Sequence, residues 1–274
     1  MAANLAKAGH DVRAFDLSAE ALARAEGAGC LRAPSAAAAV EGAEAVMTML
    51  PAGHHVEAVY AELADTIAPG AVLIDCSTID VATARRVAER ARARGLLAVD
   101  APVSGGIAAA AAGTLTFMVG GPAEAFARAE PFLNNIGKAV IHAGASGAGQ
   151  AAKICNNMIL GATMIATAEA FVLAEKLGLE AQAFYDIASV SSGQSWSMTS
   201  YCPVPGVGPE TPADRGYRGG FATALMLKDL RLAREAADGA GAATPMGRRA
   251  ADLYDAFAAE GHESEDFSAI IKAL

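Results

Sequence analysis

The chain has 274 residues, and 30 acidic against 21 basic side chains leave a formal charge of −9. This length accommodates one large domain or two modest ones, with a core that needs no disulfide or metal staple. A 53% hydrophobic share excludes a disordered chain, and an acidic balance without a basic stripe excludes a nucleic-acid partner. Alanine supplies much of the hydrophobicity. No run approaches the ~18 consecutive apolar residues of a membrane span, so no membrane partner is expected. The first ten residues include Asn4, Lys7 and His10 and lack the apolar centre of a secretory signal. Cys30, Cys76, Cys155 and Cys202 lie too far apart for a redox or metal pair and read as reduced thiols of a cytoplasmic protein.

In chain order, a helix over Met1–Ala8 ends at Gly9. Strands are predicted over Asp11–Phe15, Ala45–Leu50, Ala71–Cys76, Leu96–Asp100, Leu115–Val119 and Ala139–His142. Several are nearly continuous apolar runs, as in strands covered on both faces. Between them lie helical patterns, with Ser18, Ser35 and Asp80 in N-cap position and Pro122 at a first helical position. Strands alternating with helices predict a parallel, doubly wound sheet. After Gly149 the strand signals stop. One helix pattern, apolar on most of its circumference, spans Gln150–Leu177 and is expected to be buried between domains or subunits. Helices follow at Ala181–Ser189, Phe221–Ala237, Pro245–Glu260 and Glu265–Leu274. A long Gly-, Pro- and Ser-rich loop, Ser191–Arg218, holds the one tryptophan, Trp196. The expected organisation is an α/β domain over 1–146 and an all-α domain over 147–274.

Candidate chemistry gathers at the predicted strand ends. Asp16 ends the first strand, where an acid takes hydrogen bonds from ribose hydroxyls and repels a 2′-phosphate; the same residue also suits an ordinary strand–helix turn. Leu50-Pro51-Ala52-Gly53 and Ser77-Thr78 follow two further strands, at the carboxyl edge where open α/β sheets bind ligands. Ser104-Gly105-Gly106 offers a hydroxyl and bare backbone N–H groups to an anion, or makes a plain turn. Lys153 falls on the apolar helix, where a charge is costly, with Asn157 one turn further along. A desolvated lysine releases its proton more readily, as acid–base work near neutrality requires; the competing role is a side chain snorkelling at the helix start. Lys228 and Asp229 are adjacent on another apolar helix. His54 and His55 lack the spacing of a helical zinc site, so no metal is expected. No nucleophile elbow marks a catalytic serine.

DAPVSGG at 100–106, GAGQAAKICNN at 147–157 and LMLKDL at 225–230 occur together and in order. On these motifs the sequence resembles the β-hydroxyacid dehydrogenase family. PVPGV at 203–207, with Trp196 before it and GGF at 219–221 after it, is similar to the family's hydroxyisobutyrate branch. The resemblance implies a Rossmann-like fold and NAD-dependent oxidation of (S)-3-hydroxyisobutyrate to methylmalonate semialdehyde in valine breakdown. It implies Lys153 as general acid/base, with Asn157 holding Lys153 and substrate, and Ser104, Gly105 and Gly106 binding the substrate carboxylate. Leu50, Pro51, Thr78 and Lys228 would contact the dinucleotide. His55 stands where relatives often carry asparagine beside the cofactor. The family implies a homodimer or homotetramer formed through the helical domain. Alternatives are a tartronate or succinic semialdehyde or glyoxylate reductase of the same family, and an N-terminally truncated non-catalytic fragment acting only as a binding or assembly module. The family's first strand and G-x-G-x-x-G loop have no counterpart here. A gap in the sheet is therefore expected, and with it a natural start roughly 15–20 residues earlier.

Overall fold

The computed structural model describes residues 1–274, which divide into two compact units, Met1–Lys153 and Ile154–Leu274. The first unit alternates helices and strands. In order these are α1 (Ala2–Lys7), β1 (Arg13–Ala14), α2 (Ala19–Gly27), β2 (Leu31–Arg32), α3 (Ala36–Val40), β3 (Ala45–Thr48), α4 (Gly53–Leu63), β4 (Val72–Asp75), α5 (Val81–Ala93) and β5 (Leu97–Asp100). They continue with β6 (Val103–Ser104), α6 (Gly106–Ala112), β7 (Leu115–Gly120), α7 (Ala123–Asn134) and β8 (Gly137–Gly144). Ser18, Ser35 and Asp80 cap α2, α3 and α5, each accepting the backbone N–H three residues on. Pro122 is the N-cap residue of α7 rather than its first helical residue.

β3, β4 and β5 are parallel neighbours, with Ala45 opposite Val72 and Val72 opposite Leu97. All of β4 is buried, in keeping with its apolar Val-Leu-Ile run, which Asp75 ends. Val56, Leu63, Leu73 and Val87 make the core of one face; Val72, Ile74, Phe117 and Leu133 make that of the other. The wholly parallel sheet expected from the alternation is not what forms. β7 runs antiparallel to β5 and β6, and parallel to β8. β6 follows β5 after two residues, and the chain then returns through the 7-residue α6 to lay β7 antiparallel beside both. The sheet also has the expected gap. β1 and β2 pair with each other in a separate two-stranded sheet, unjoined to the six-stranded one.

The helical elements begin with α8 (Ala148–Lys176), whose 29 residues start in the first unit and continue into the second. Then come α9 (Ala181–Ala188), α10 (Trp196–Thr199), a 3-10 turn at Pro212–Arg215, α11 (Thr223–Ala240) and α12 (Pro245–Phe257). α8 is long and apolar enough to cross a bilayer on length and composition alone. Met164, Ile165 and Ala168 instead sit in the helical core with Met226, Leu230, Tyr254 and Phe257. Ile159 and Leu173 stand 61% and 59% exposed on α8 of the single chain. The last predicted helix forms a 3-10 stretch, Phe267–Ala273.

Two carboxylates hold the loop after α9: Asp214 accepts from Gly206 N and Thr211 N within it, and Asp266 ties it to the chain's end. Buried Asp266 accepts hydrogen bonds from Tyr201 Oη (2.9 Å), Phe221 N (2.8 Å), Ser268 N (3.0 Å) and Ser268 Oγ (2.6 Å). The Tyr201 ring stacks between Trp196 and Phe267, with ring centroids 4.8 and 5.4 Å away. A Cβ on Gly220 (φ +72°) would lie 2.2 Å from Asp266 Oδ2, so this turn requires glycine. Asp266→Ala leaves four donors without an acceptor. It is expected to destabilise the protein by about 3 kcal/mol in chemical denaturation.

Candidate active site

Within the first unit, the carboxyl ends of β3 and β4 are tied by a chain of buried polar groups. Thr48 Oγ1 donates to Asp75 Oδ1 (2.8 Å), which leaves it to accept from Tyr60 Oη (2.8 Å). Ser77 Oγ donates to the same carboxylate oxygen at 2.6 Å and accepts from Leu50 N at 2.8 Å. Burial pushes the Asp75 carboxyl up, and the two hydroxyls oppose that shift. The network fixes the Leu50-Pro51 turn against the Ser77-Thr78 turn, with Pro51 exposed and Thr78 half-buried. His55 is exposed at the start of α4 and tilts against the neighbouring His54 ring. Asp16 is exposed just beyond β1, and its Oδ1 accepts from Ser18 N at 2.8 Å. It belongs to the separate two-stranded end of the unit.

The Asp100 carboxylate, at the end of β5, reaches the start of α8. Gly147 N donates to Oδ1 at 2.7 Å and Gln150 N to Oδ2 at 2.9 Å. Burial pushes this carboxyl up to about 6, and the two backbone N–H groups restrain the shift. Beyond β5, Ser104 is half-buried, while Gly105 and Gly106 are exposed at φ +126° and +68°. A Cβ on Gly105 would come 2.5 Å from Ala109 Cβ, so only glycine passes this corner. Lys153 lies on the second turn of α8 and is buried, only 7% exposed. Asn157 follows one turn later on the same face of the helix.

In the second unit, Asn157 is 1% exposed, and its Nδ2 donates to Asp229 Oδ2 of α11 at 2.5 Å. Its Oδ1 accepts from Asn156 Nδ2 at 3.0 Å. Asp229 is itself buried, and Lys228 Nζ lies 3.8 Å from its other oxygen. The Lys228–Asp229 pair is therefore not a surface pair: the carboxylate faces inward and sets the orientation of the Asn157 amide. Asp229→Ala removes that acceptor and is expected to lower kcat about tenfold, with Asp229→Asn restoring part of it. Steady-state kinetics on folded variants checks both. Gln150 is a site residue that the sequence reading does not single out, because its partners Ile79 and Ser77 are distant in sequence.

Residues 1–144 match the model of the NAD binding domain of 6-phosphogluconate dehydrogenase. Residues 147–274 match the NAD-binding domain of NADP-dependent 3-hydroxyisobutyrate dehydrogenase. The chain belongs to the β-hydroxyacid dehydrogenase family. The 3-hydroxyisobutyrate dehydrogenase of Pseudomonas aeruginosa is 52% identical, over 99% of this chain and 93% of its own. A probable 3-hydroxyisobutyrate dehydrogenase of Mycobacterium tuberculosis is 49% identical, over 100% of this chain and 93% of its own. The NAD-dependent L-serine dehydrogenase of P. aeruginosa is also 49% identical, over 99% of this chain and 92% of its own. The solved M. tuberculosis 3-hydroxyisobutyrate dehydrogenase with L-serine superposes with a TM-score of 0.95 at 48% identity, over 99% of this chain and 93% of that one. The protein is thus an NAD(P)-dependent oxidoreductase of the 3-hydroxyisobutyrate dehydrogenase type, with an N-terminal Rossmann-like domain and a helical C-terminal domain.

The residues present suit a dinucleotide at its ribose and nicotinamide ends. Asp16 offers an exposed carboxylate at a strand tip, and the Leu50 and Ser77 turns form a polar-backed wall at two more. The glycine loop that would face the pyrophosphate is not part of this sequence.

Proposed function

We propose that the protein oxidises (S)-3-hydroxyisobutyrate to methylmalonate semialdehyde with NAD, as a step of valine breakdown. Bound NAD supplies the hydride acceptor, with Asp16 at its adenosine ribose and Leu50, Pro51, His55, Thr78 and Lys228 along the rest. Ser104, Gly105 and Gly106 receive the substrate carboxylate. Lys153 takes the proton of the substrate hydroxyl as the carbinol carbon is oxidised, and returns it in the reverse direction. Asn157 steadies Lys153 and the hydroxyl, and is itself steadied by Asp229. The observation that carries this reading is a buried lysine one helical turn before a buried asparagine whose amide is fixed by a buried carboxylate.

L-Serine is the second reading. It shares the 3-hydroxy carboxylate skeleton, and one relative at 49% identity is a serine dehydrogenase. A steady-state screen of 3-hydroxyisobutyrate, L-serine, glycerate and 4-hydroxybutyrate with each cofactor separates the two. The expected result is the highest kcat/KM for 3-hydroxyisobutyrate; a higher value for L-serine reassigns the substrate. Asp16 predicts a preference for NAD over NADP of at least about tenfold, equivalent to about 1.4 kcal/mol of repulsion avoided. Equal kcat/KM with the two cofactors removes that assignment. Ile159, Leu173, Leu177 and Ile187 are exposed in the helical unit and support a homodimer or homotetramer formed there. A monomeric mass in light scattering would exclude it.

A further inference from the structure

The first turn of α8 is held by groups that the reaction itself does not need. Both oxygens of Asp100 are committed to it, through Gly147 N and Gln150 N. Gln150 is fully buried, and its amide is satisfied at both ends by one strand end. Oε1 accepts from Ile79 N at 3.0 Å, and Nε2 donates to Ser77 O at 2.7 Å. Those two backbone groups flank Thr78. The helix start is also packed to backbone contact. A Cβ on Gly120 would lie 2.7 Å from Gly149 N, and one on Gly149 would lie 2.3 Å from Met118 O. Lys153 sits three residues after Gln150, its neighbour on the helix surface.

We propose that Gln150, seated by Asp100, is a positioning residue that sets the place of the Lys153 amine relative to the Ser77–Ile79 strand end. The proposal rests on Lys153 being the acid/base group. One end of the amide reads a donor and the other an acceptor, so the helix cannot slide or rotate without losing both bonds. Asp100 ends the strand that leads to Ser104–Gly106, so the same clamp refers the lysine to the substrate-carboxylate corner as well.

The test compares Gln150→Leu and Gln150→Glu with the unaltered protein, using Lys153→Ala as control. Gln150→Leu keeps the bulk and loses both bonds; Gln150→Glu keeps the acceptor for Ile79 N and loses the donor to Ser77 O. For Gln150→Leu, kcat is expected to fall roughly 10- to 100-fold, the scale of a misplaced reacting group. KM for the hydroxy acid and the dissociation constant for NAD should stay within about threefold, and the deuterium isotope effect on kcat should rise. Gln150→Glu should fall between. The second readout needs no turnover. The chain has six lysines, and after 13C reductive methylation the Lys153 resonance of the cofactor-free protein should shift and titrate differently in both variants.

A folded Gln150→Leu with kcat within about twofold of the original and an unmoved Lys153 resonance overturns the proposal. If Gln150→Leu does not fold, Gln150→Glu decides by the same two readouts. Retained activity in Lys153→Ala would defeat the acid/base reading alone, while a shifted Lys153 resonance would still report the clamp.

Discussion

Lys153→Ala is expected to lower kcat by about three orders of magnitude, while the protein keeps its fold and its affinity for NAD. The size follows from what the side chain does. Oxidising a hydroxyl carbon without a base leaves a proton on the developing aldehyde oxygen, and water is a poor acceptor for it at neutral pH. The buried amine is held on the second turn of a helix whose start is fixed by Asp100 and Gln150, so it needs no reorganisation to reach its task. The fold should survive, because the substitution removes a charge that costs free energy to bury and leaves alanine, the best helix former. Lys153→Arg separates two ways a cation could help. Arginine keeps the charge and cannot give up its proton near neutrality. If proton transfer is the role, Arg is as inactive as Ala, and small primary amines restore part of the Ala variant's turnover. Recovery with Arg instead would show that fixed charge, not proton transfer, matters here.

Which parts of this arrangement could be read from the chain depends on the reach of the interactions. The caps at Ser18, Ser35 and Asp80 were legible because each bonds a backbone group three residues away. β4 was legible because a run buried on both faces is apolar up to Asp75 at its end. β2 and β6 were not, since two residues carry no period at all. The antiparallel course of β7 was hidden because strand direction depends on the connection, not on the strand's own residues. The site divides in the same way. Lys153 stood out as a charge on an apolar helix, and its motif carried the family resemblance. The partners that hold it did not stand out. Gln150 acts on groups 71 and 73 residues away and Asp100 on groups 47 and 50 away, and no local pattern encodes those distances. Asp229 was visible as the neighbour of Lys228, but its bond to Asn157, 72 residues away, appears only in the folded helical unit.

Gly149→Ala should be among the most damaging one-methyl changes in the chain. Propensity alone argues the other way, since replacing glycine by alanine within a helix gains about 1 kcal/mol. Space decides against it. The new Cβ would lie 2.3 Å from Met118 O, 2.6 Å from Asp100 O and 2.9 Å from Asp100 Oδ2. Two of these are backbone atoms of β7 and β5, which cannot swing aside as a flexible side chain would. Overpacking of this kind costs about 1–3 kcal/mol or more, and against backbone the upper end applies. The net expectation is a loss of about 2 kcal/mol, or a melting temperature lower by roughly 4–8 °C in a chain of this size. The same shift lifts the first turn of α8 from Asp100 and displaces Lys153, so kcat should fall further than stability alone would explain. Gly239→Ala is the matched control, because Gly239 also lies within a helix, α11, and nothing stands within 4 Å of its would-be Cβ. It should be neutral or stabilise by up to about 1 kcal/mol. Thermal melts of the two variants beside the original protein, with kcat measured on each, give the comparison. A Gly149→Ala protein as stable and active as the Gly239→Ala one would mean that α8 does not start in backbone contact with β5 and β7.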